Sequence, residues 1–250
     1  MKYSLFLPAL LLGATATVGS AQAAPVQWAD TVATEIDRAS LSGDLAKVDA
    51  AAALASRVAT AYPNDGLMVH YHGYAVYRQA TAHTAAGHDV TPLFVQAQGI
   101  LERSLKLRPL AETHIVLSSI DGQLIAKDPS RGMELGMRSQ ASASAAMKLD
   151  PQNPRVWLLR GQSAIFTPEQ YGGGLAAAQE QLEHAVELFA KDAPKAGDPS
   201  WGKAEGYVWV GQVYAKKGDK AKAAALYSKA LEIAPDYAFA KSAAAGFVVK

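Results

Sequence analysis

The 250-residue sequence contains no cysteine. This absence excludes a disulfide framework, a lipoprotein anchor, a thiolate metal site and a cysteine nucleophile. An excess of charge of one sign is also missing, since Lys and Arg number 24 while Asp and Glu number 23. The balance argues against a general nucleic-acid surface and against binding to anionic membranes. Half of the residues are apolar, which allows a substantial core.

Long apolar runs are confined to the N-terminus. Lys2 is followed by an apolar stretch over 3–19, and the A-x-A pattern at 21–23 predicts cleavage after Ala23. The sequence thus predicts a signal peptide at 1–23 and a periplasmic or secreted mature chain, with a Gram-negative envelope as the expected location. A membrane anchor is the alternative, but Pro8 interrupts the run. No membrane insertion of the mature chain is expected.

Prolines and small residues recur in a fixed register. Pro63 is followed ten residues later by Gly73, and Pro151 is followed at the same offset by Gly161. A small residue also stands twelve positions before the terminal proline of four units, the first, second, third and fifth: Ala51, Ala97, Ser139 and Ala223. Agreement across several units predicts a helical solenoid, in which each helix pair stacks on the next.

The stretch at 204–235 resembles the tetratricopeptide repeat position by position. Gly211 and Ala223 are small where two antiparallel helices would cross, Gly218 breaks the chain between them, and Pro235 ends the second helix. The other matching residues are Tyr207, Val210, Tyr214, Tyr227 and Ala230. The resemblance implies an all-α fold, a right-handed α-solenoid of antiparallel helix pairs with about four to five repeats.

The repeat register extends over roughly residues 44–250. We expect helix pairs over 26–63, 64–109, 110–151, 152–190 and 204–235, and a C-terminal capping helix over 236–248. The second, third and fourth pairs are longer than the fifth, which predicts enlarged intra-repeat turns or, alternatively, longer helices. Residues 191–203 are interpreted as an inserted loop between the fourth and fifth pairs, and Trp201 is expected to hold it against the array.

The stretch "VHYHGYAVY" at 69–77 raises the question of a metal site. His70 and His72 lie two positions apart, on opposite sides of a helix, so they cannot chelate one ion. No metal or cofactor is therefore expected. For Tyr71 and Tyr77, packing in the core between helices and contact with a partner are equally compatible with the sequence.

First helices of tetratricopeptide arrays line the concave surface, where the family most often binds ligands. The resemblance thus implies a groove containing His70, Tyr74, Tyr77, Arg78, Gln123, Arg155, Leu158, Gln162, Gln212 and Lys216. Tyr171, in the turn "TPEQYGGG", is a separate candidate at the loop edge, where it either contacts a partner or folds back over the helices.

Motifs for catalysis are missing: the chain has no GxSxG, no phosphate-binding glycine loop and no metal-ligand spacing. We therefore expect a non-enzymatic interaction module or scaffold that holds an envelope protein or an extended peptide in its concave groove. The alternative is a periplasmic carrier of a small apolar ligand or lipid, resembling the tetratricopeptide proteins that accompany some transporters. Self-association through the enlarged turns is a third hypothesis.

Overall fold

The structure is a computed structural model and describes residues 24–246. This part of the chain contains helices and turns but no strand, so the predicted all-α solenoid is confirmed. The helices are α1 Val26–Ser42, α2 Leu45–Ala61, α3 Gly66–Ala85, α4 Thr91–Leu107, α5 Ala111–Lys127, α6 Gly132–Leu149, α7 Pro154–Phe166, α8 Leu175–Phe189, α9 Lys203–Lys216, α10 Lys220–Ile233 and α11 Ala238–Ala245. Single 3₁₀ turns lie at Pro129–Arg131 and Glu169–Tyr171.

Short polar side chains start several of these helices. The carboxylate of Asp44 accepts hydrogen bonds from two backbone N–H groups at the start of α2, and Asp65 does the same for α3. Asn153 and Asp219 each accept one such hydrogen bond, at the starts of α7 and α10. Each cap satisfies N–H groups that have no partner within the helix. The boundaries between units are therefore encoded locally.

Consecutive helices pack in antiparallel pairs: α1 with α2, α3 with α4, α5 with α6, α7 with α8, and α9 with α10. The crossing points require small residues, as the register predicted. A Cβ on Gly73 would lie 2.6 Å from Leu101 Cγ, and one on Gly211 would lie 2.7 Å from Tyr227 Cε1. Such distances are far below van der Waals contact, so glycine lets the two helices approach.

The extra residues of the longer units are used in different ways. In the second pair they lengthen the first helix, since α3 has 20 residues and only a short turn separates it from α4. In the fourth pair they form a real loop, because residues 167–174 lie outside the α-helices and contain one 3₁₀ turn. Both interpretations of the sequence thus apply, each to a different unit.

The two ends of the stack meet. Helix α11 packs on α10 and also contacts α1, and Ala238 Cβ lies 3.1 Å from the position that a Cβ on Gly43, just after α1, would take. An open solenoid would leave its concave face to solvent. Here the closure encloses that face, and the residues between α8 and α9 fill it.

Candidate functional site

The concave face is occupied by residues 190–202, which link α8 to α9 and are called the groove segment below. Both backbone polar groups of Gly197 are hydrogen-bonded to concave-face helices. The Tyr71 hydroxyl donates a buried hydrogen bond to the Gly197 carbonyl oxygen at 2.8 Å, and the Gly197 N–H donates to Asp30 Oδ1 at 2.7 Å. The segment is therefore bound to both α1 and α3.

Two arginines bind the aspartates of the groove segment. Arg155 on α7 forms an ion pair with Asp192 at 2.6 Å, and the Arg155 side chain is only 2% exposed. Arg108, just after α4, reaches Asp198 at 3.3 Å in a more solvated setting. The first pair is buried and the second is partly open to water. Breaking the Arg155–Asp192 ion pair should therefore cost more free energy than breaking the Arg108–Asp198 pair.

Trp201 ends the groove segment and stacks on Tyr74 of α3, with ring centroids 4.8 Å apart and planes inclined by 20°. Both side chains are buried, so the expectation that Trp201 holds the inserted loop against the array is correct. One turn along α3, Arg78 pairs with Glu205 of α9 at 2.9 Å. The same surface thus links the second unit to the fifth.

Asp37 of α1 lies beside this Arg78–Glu205 pair. Burial, and after it the Glu205 carboxylate, raise the pKa of Asp37 from 3.8 to about 6. The nearby Arg78 and Arg155 act in the opposite direction but do not cancel the effect. Burial and the neighbouring carboxylate thus both favour the protonated form of Asp37.

Three buried polar atoms of the groove have no hydrogen-bond partner among the described residues: His70 Nε2, Arg155 Nε and Trp201 Nε1. His70 Nδ1 lies 2.8 Å from Thr113 Oγ1, so only its other nitrogen is free. Burial, and then the charge of Arg108, lower the pKa of His70 to about 3, so its ring is neutral at physiological pH. The groove segment therefore fills the concave face without satisfying all of its polar groups.

The ten residues predicted to line the groove lie on the concave helices, but the structure does not leave them free. His70, Tyr74, Tyr77, Arg155 and Leu158 are buried. Arg78, Gln123, Gln162 and Gln212 are partly buried, and Lys216 alone is exposed. Tyr74 and Arg155 contact the groove segment directly, so a partner could reach these two only after that segment has left.

Several residues of this centre were not singled out from the sequence: Asp30, Asp37, Asp192 and Asp198. A signal for two of them was present, since the inserted loop contains Asp192, Asp198 and an anchoring tryptophan. Their partners lie on other units, at sequence separations of up to 167 residues. A repeat register does not reveal such contacts.

A different surface is open to solvent. Four large apolar side chains protrude from the edge formed by the intra-repeat turns of the third and fourth units, and we call them the edge cluster: Met133 (82% exposed), Met137 (66%), Phe166 (73%) and Tyr171 (75%). Met133 and Met137 lie one turn apart at the start of α6, while Phe166 ends α7. Tyr171, the predicted loop-edge candidate, does not fold back over the helices.

Other features of the described chain do not form a site. Within residues 24–246, no group of three or more His, Asp or Glu side chains could hold a metal ion, and no helix is long and apolar enough to cross a bilayer. His83 and His88 do meet, with their Nδ1 atoms 2.8 Å apart. Asp49, however, binds the opposite nitrogen of His83, so the three groups do not face a common point.

Comparison with known proteins supports the fold. Residues 204–237 match the tetratricopeptide repeat family, and no curated protein matches the chain. The HusA haemophore from Porphyromonas gingivalis is 23% identical, with a TM-score of 0.62 over 76% of this chain and 94% of that one. TTC0263, a thermophilic tetratricopeptide protein of Thermus thermophilus, is 21% identical, with a TM-score of 0.60 over 90% and 99%.

Proposed function

We propose that this protein is an exported, non-enzymatic interaction module that contacts a partner protein through the edge cluster. The observation that carries the proposal is the exposure of Met133, Met137, Phe166 and Tyr171 on one edge, since these four are more exposed than any other large apolar side chain of the described residues. Isolated exposed apolar residues are normal on protein surfaces. Four large ones on the turns of two successive units form a patch, and such patches mark contact surfaces.

The chemistry of the edge cluster fits a protein partner. Methionine and aromatic residues are enriched where proteins meet, because they bury a large area and adapt to their partner's shape. Phe166 also contacts Trp209 of the next unit edge to face, with ring centroids 6.5 Å apart. The aromatic surface therefore continues from the fourth unit into the fifth.

Partner binding in the concave groove stays a prediction, because the groove is filled by the chain's own residues. Tyr74 and Arg155 contact the groove segment, so binding in the groove requires that segment to move. The carrier of a lipid or a small apolar ligand has less support. The interior space against Arg78, lined by Ile36, Val48 and Ala75, is too narrow to admit even a water molecule. A roomier surface cleft of about 410 Å³ is lined by Trp157, His184 and three glutamates, and such a polar lining does not suit a lipid or a small apolar ligand.

Export is supported by a contact at the start of the described chain. The backbone nitrogen of Ala24 donates a 2.8 Å hydrogen bond to Asp65 Oδ2, while Asp65 Oδ1 caps α3. Removal of the expected signal peptide, residues 1–23, would turn this nitrogen into a charged amino terminus. The hydrogen bond would then become an ion pair, so processing at the predicted site would strengthen the attachment of the first unit to the second.

Site-specific photo-crosslinking in the cell of origin tests the interaction surface. A benzoylphenylalanine replaces Met133 in one variant and Tyr171 in another, and we expect both to give the same discrete protein adduct. Intact mass of the purified protein tests export, and the expected mature chain starts at Ala24. A chain that retains residues 1–23 in the envelope would contradict the processing site.

The matched control places the same crosslinker at Lys148, an exposed residue at the opposite end of α6 from Met133. An adduct from Lys148 equal to that from Met133 would show unspecific capture. An adduct from Tyr74 with none from the two edge positions would move the partner to the concave groove and contradict the proposal.

A further inference from the structure

The groove segment occupies the concave face as a bound peptide would, through side-chain contacts with several units. We propose that residues 190–202 are a displaceable internal ligand, and that the groove accepts in their place a protein segment that carries two carboxylates and an aromatic side chain. The groove would then be a second, latent interaction site, independent of the edge cluster.

The contacts of the groove segment define the chemistry of its replacement. Asp192 pairs with Arg155 of α7, Asp198 pairs with Arg108 in the turn after α4, and Trp201 stacks on Tyr74. Arg155 is 2% exposed and depends on Asp192 for its counter-charge. A buried arginine without a counter-charge is strongly unfavourable, so the groove cannot simply open. It can only exchange one carboxylate-bearing segment for another.

The unpartnered groups show why exchange is feasible. Three buried polar atoms have no hydrogen-bond partner among the described residues: Trp201 Nε1 on the groove segment, Arg155 Nε beside it, and His70 Nε2 on α3. The His70 ring stacks on Tyr74, the residue that Trp201 covers. A segment that supplies acceptors to the arginine and an acceptor or donor to His70 would bind the concave face better than the chain's own residues.

The groove segment also has a point of entry. Residues 193–196 are exposed, while Gly197, Pro199 and Trp201 are buried. An incoming segment could therefore compete first for Arg108, whose pair with Asp198 is the more exposed of the two, and then for Arg155. Because the groove segment lies between two helices, it can detach locally while α8 and α9 stay folded.

A synthetic peptide with the sequence of residues 190–202 tests this proposal directly. Labelled with a fluorophore, it is titrated by anisotropy into the wild-type protein and into Trp201→Ala, which empties the position over Tyr74. We expect Trp201→Ala to bind the peptide at least tenfold more tightly than the wild type. A peptide with Asp192→Asn and Asp198→Asn should lose that affinity at least tenfold.

Trp157→Ala is the matched control, since Trp157 contacts His184 and Arg160 outside the groove. It should bind the peptide no better than the wild type. Equal affinity of the two tryptophan variants, equal affinity for the uncharged peptide, or no binding by a folded Trp201→Ala protein would each overturn the proposal. A wild-type dimer whose formation blocks the peptide would assign the groove to a second copy and also overturn it.

Hydrogen–deuterium exchange of the wild type keeps the test decisive if Trp201→Ala does not fold. With millimolar peptide, we expect faster exchange across residues 190–202 and unchanged protection across 67–78. Unchanged exchange of the groove segment at saturating peptide would show that it is a fixed part of the core. That result would overturn the proposal without bearing on the edge cluster.

Discussion

Tyr74 and Tyr171 are both tyrosines that the sequence indicates as contact residues, yet the first is buried under Trp201 and the second protrudes into solvent. Tyr74 belongs to the concave face, where the chain supplies its own ligand. Tyr171 belongs to the edge formed by the intra-repeat turns, where no other part of the described chain covers its side chain. In a solenoid, therefore, an insertion between units can decide which surface is left for a partner.

The two regions also differ in electrostatics. The concave face contains paired charges at low exposure, such as Arg78–Glu205, whereas the charges near the edge cluster lie in water, such as Arg131–Glu134. Removing one partner of a buried pair leaves an uncompensated charge, whereas removing one partner of an exposed pair changes little. The following predictions test this contrast.

The largest effect is expected for Arg78→Ala. It should lower the free energy of unfolding by about 3–5 kcal/mol, because Glu205 would stay buried without its counter-charge. Arg131→Ala is the control, since it removes an arginine from an exposed pair, and its cost should be about 0–1 kcal/mol. Urea denaturation followed by circular dichroism measures both. Equal losses would mean that the closure around Arg78 is far weaker than the structure indicates.

A smaller effect is expected for Asp37→Asn, and it depends on pH. The folded state keeps the Asp37 proton up to about pH 6, while the unfolded state releases it near 3.8. The folded state therefore binds more protons in this window, and the free energy of unfolding of the wild type falls as pH rises through it. Asparagine cannot ionise, so the variant should gain stability over the wild type by about 1–3 kcal/mol between pH 4 and pH 7.

Thermal unfolding at several pH values measures this difference. Glu35→Gln, on the same helix and paired with Arg38 at the surface, is the control and should not reproduce it. If the stability difference between Asp37→Asn and the wild type is constant from pH 4 to pH 7, the raised pKa is refuted.

The third effect concerns a single hydrogen bond. Tyr71→Phe removes the donor to the Gly197 carbonyl oxygen and should cost about 0.5–1.5 kcal/mol, because that oxygen would remain buried without a partner. Tyr171→Phe removes the same hydroxyl from an exposed ring, and its effect should stay within about 0.5 kcal/mol. Chemical denaturation of the two variants side by side decides the matter. A loss from Tyr171→Phe as large as that from Tyr71→Phe would contradict the assigned exposures.

The glycines at the helix crossings and Tyr74 show which features of the structure can be predicted from the sequence. The glycine register located the helix crossings. Two helices that approach closely need a small residue at the contact, and Gly73 and Gly211 supply it whatever lies around them. The concave position of Tyr74 was what the resemblance to the tetratricopeptide repeat implied. Its burial was not implied, because that depends on a contact with Trp201 across the groove and on the meeting of α1 with α11.

The inserted loop was visible in the sequence, but its position was not. Proline and glycine identify a loop, and Trp201 suggests that it is anchored, yet neither indicates the surface on which it lies. The edge cluster was missed in part for a related reason. Tyr171 was identified by its loop, whereas Met133, Met137 and Phe166 belong to helices, and a helical pattern does not show which apolar residues remain uncovered.

A small effect on stability, and the largest expected effect on partner binding, belong to the edge cluster. Phe166→Ser should lower the free energy of unfolding by no more than about 1 kcal/mol, because the side chain is already 73% exposed and loses only its edge-to-face contact with Trp209. Leu158→Ala is the contrast inside the groove, where a fully buried side chain is lost at a cost of about 2–5 kcal/mol. The crosslinked adduct at Tyr171 should disappear in Phe166→Ser while the protein melts at nearly the wild-type temperature. A loss as large as that of Leu158→Ala would show that Phe166 is packed far more tightly than its exposure indicates, and an undiminished adduct would show that the partner does not use this edge.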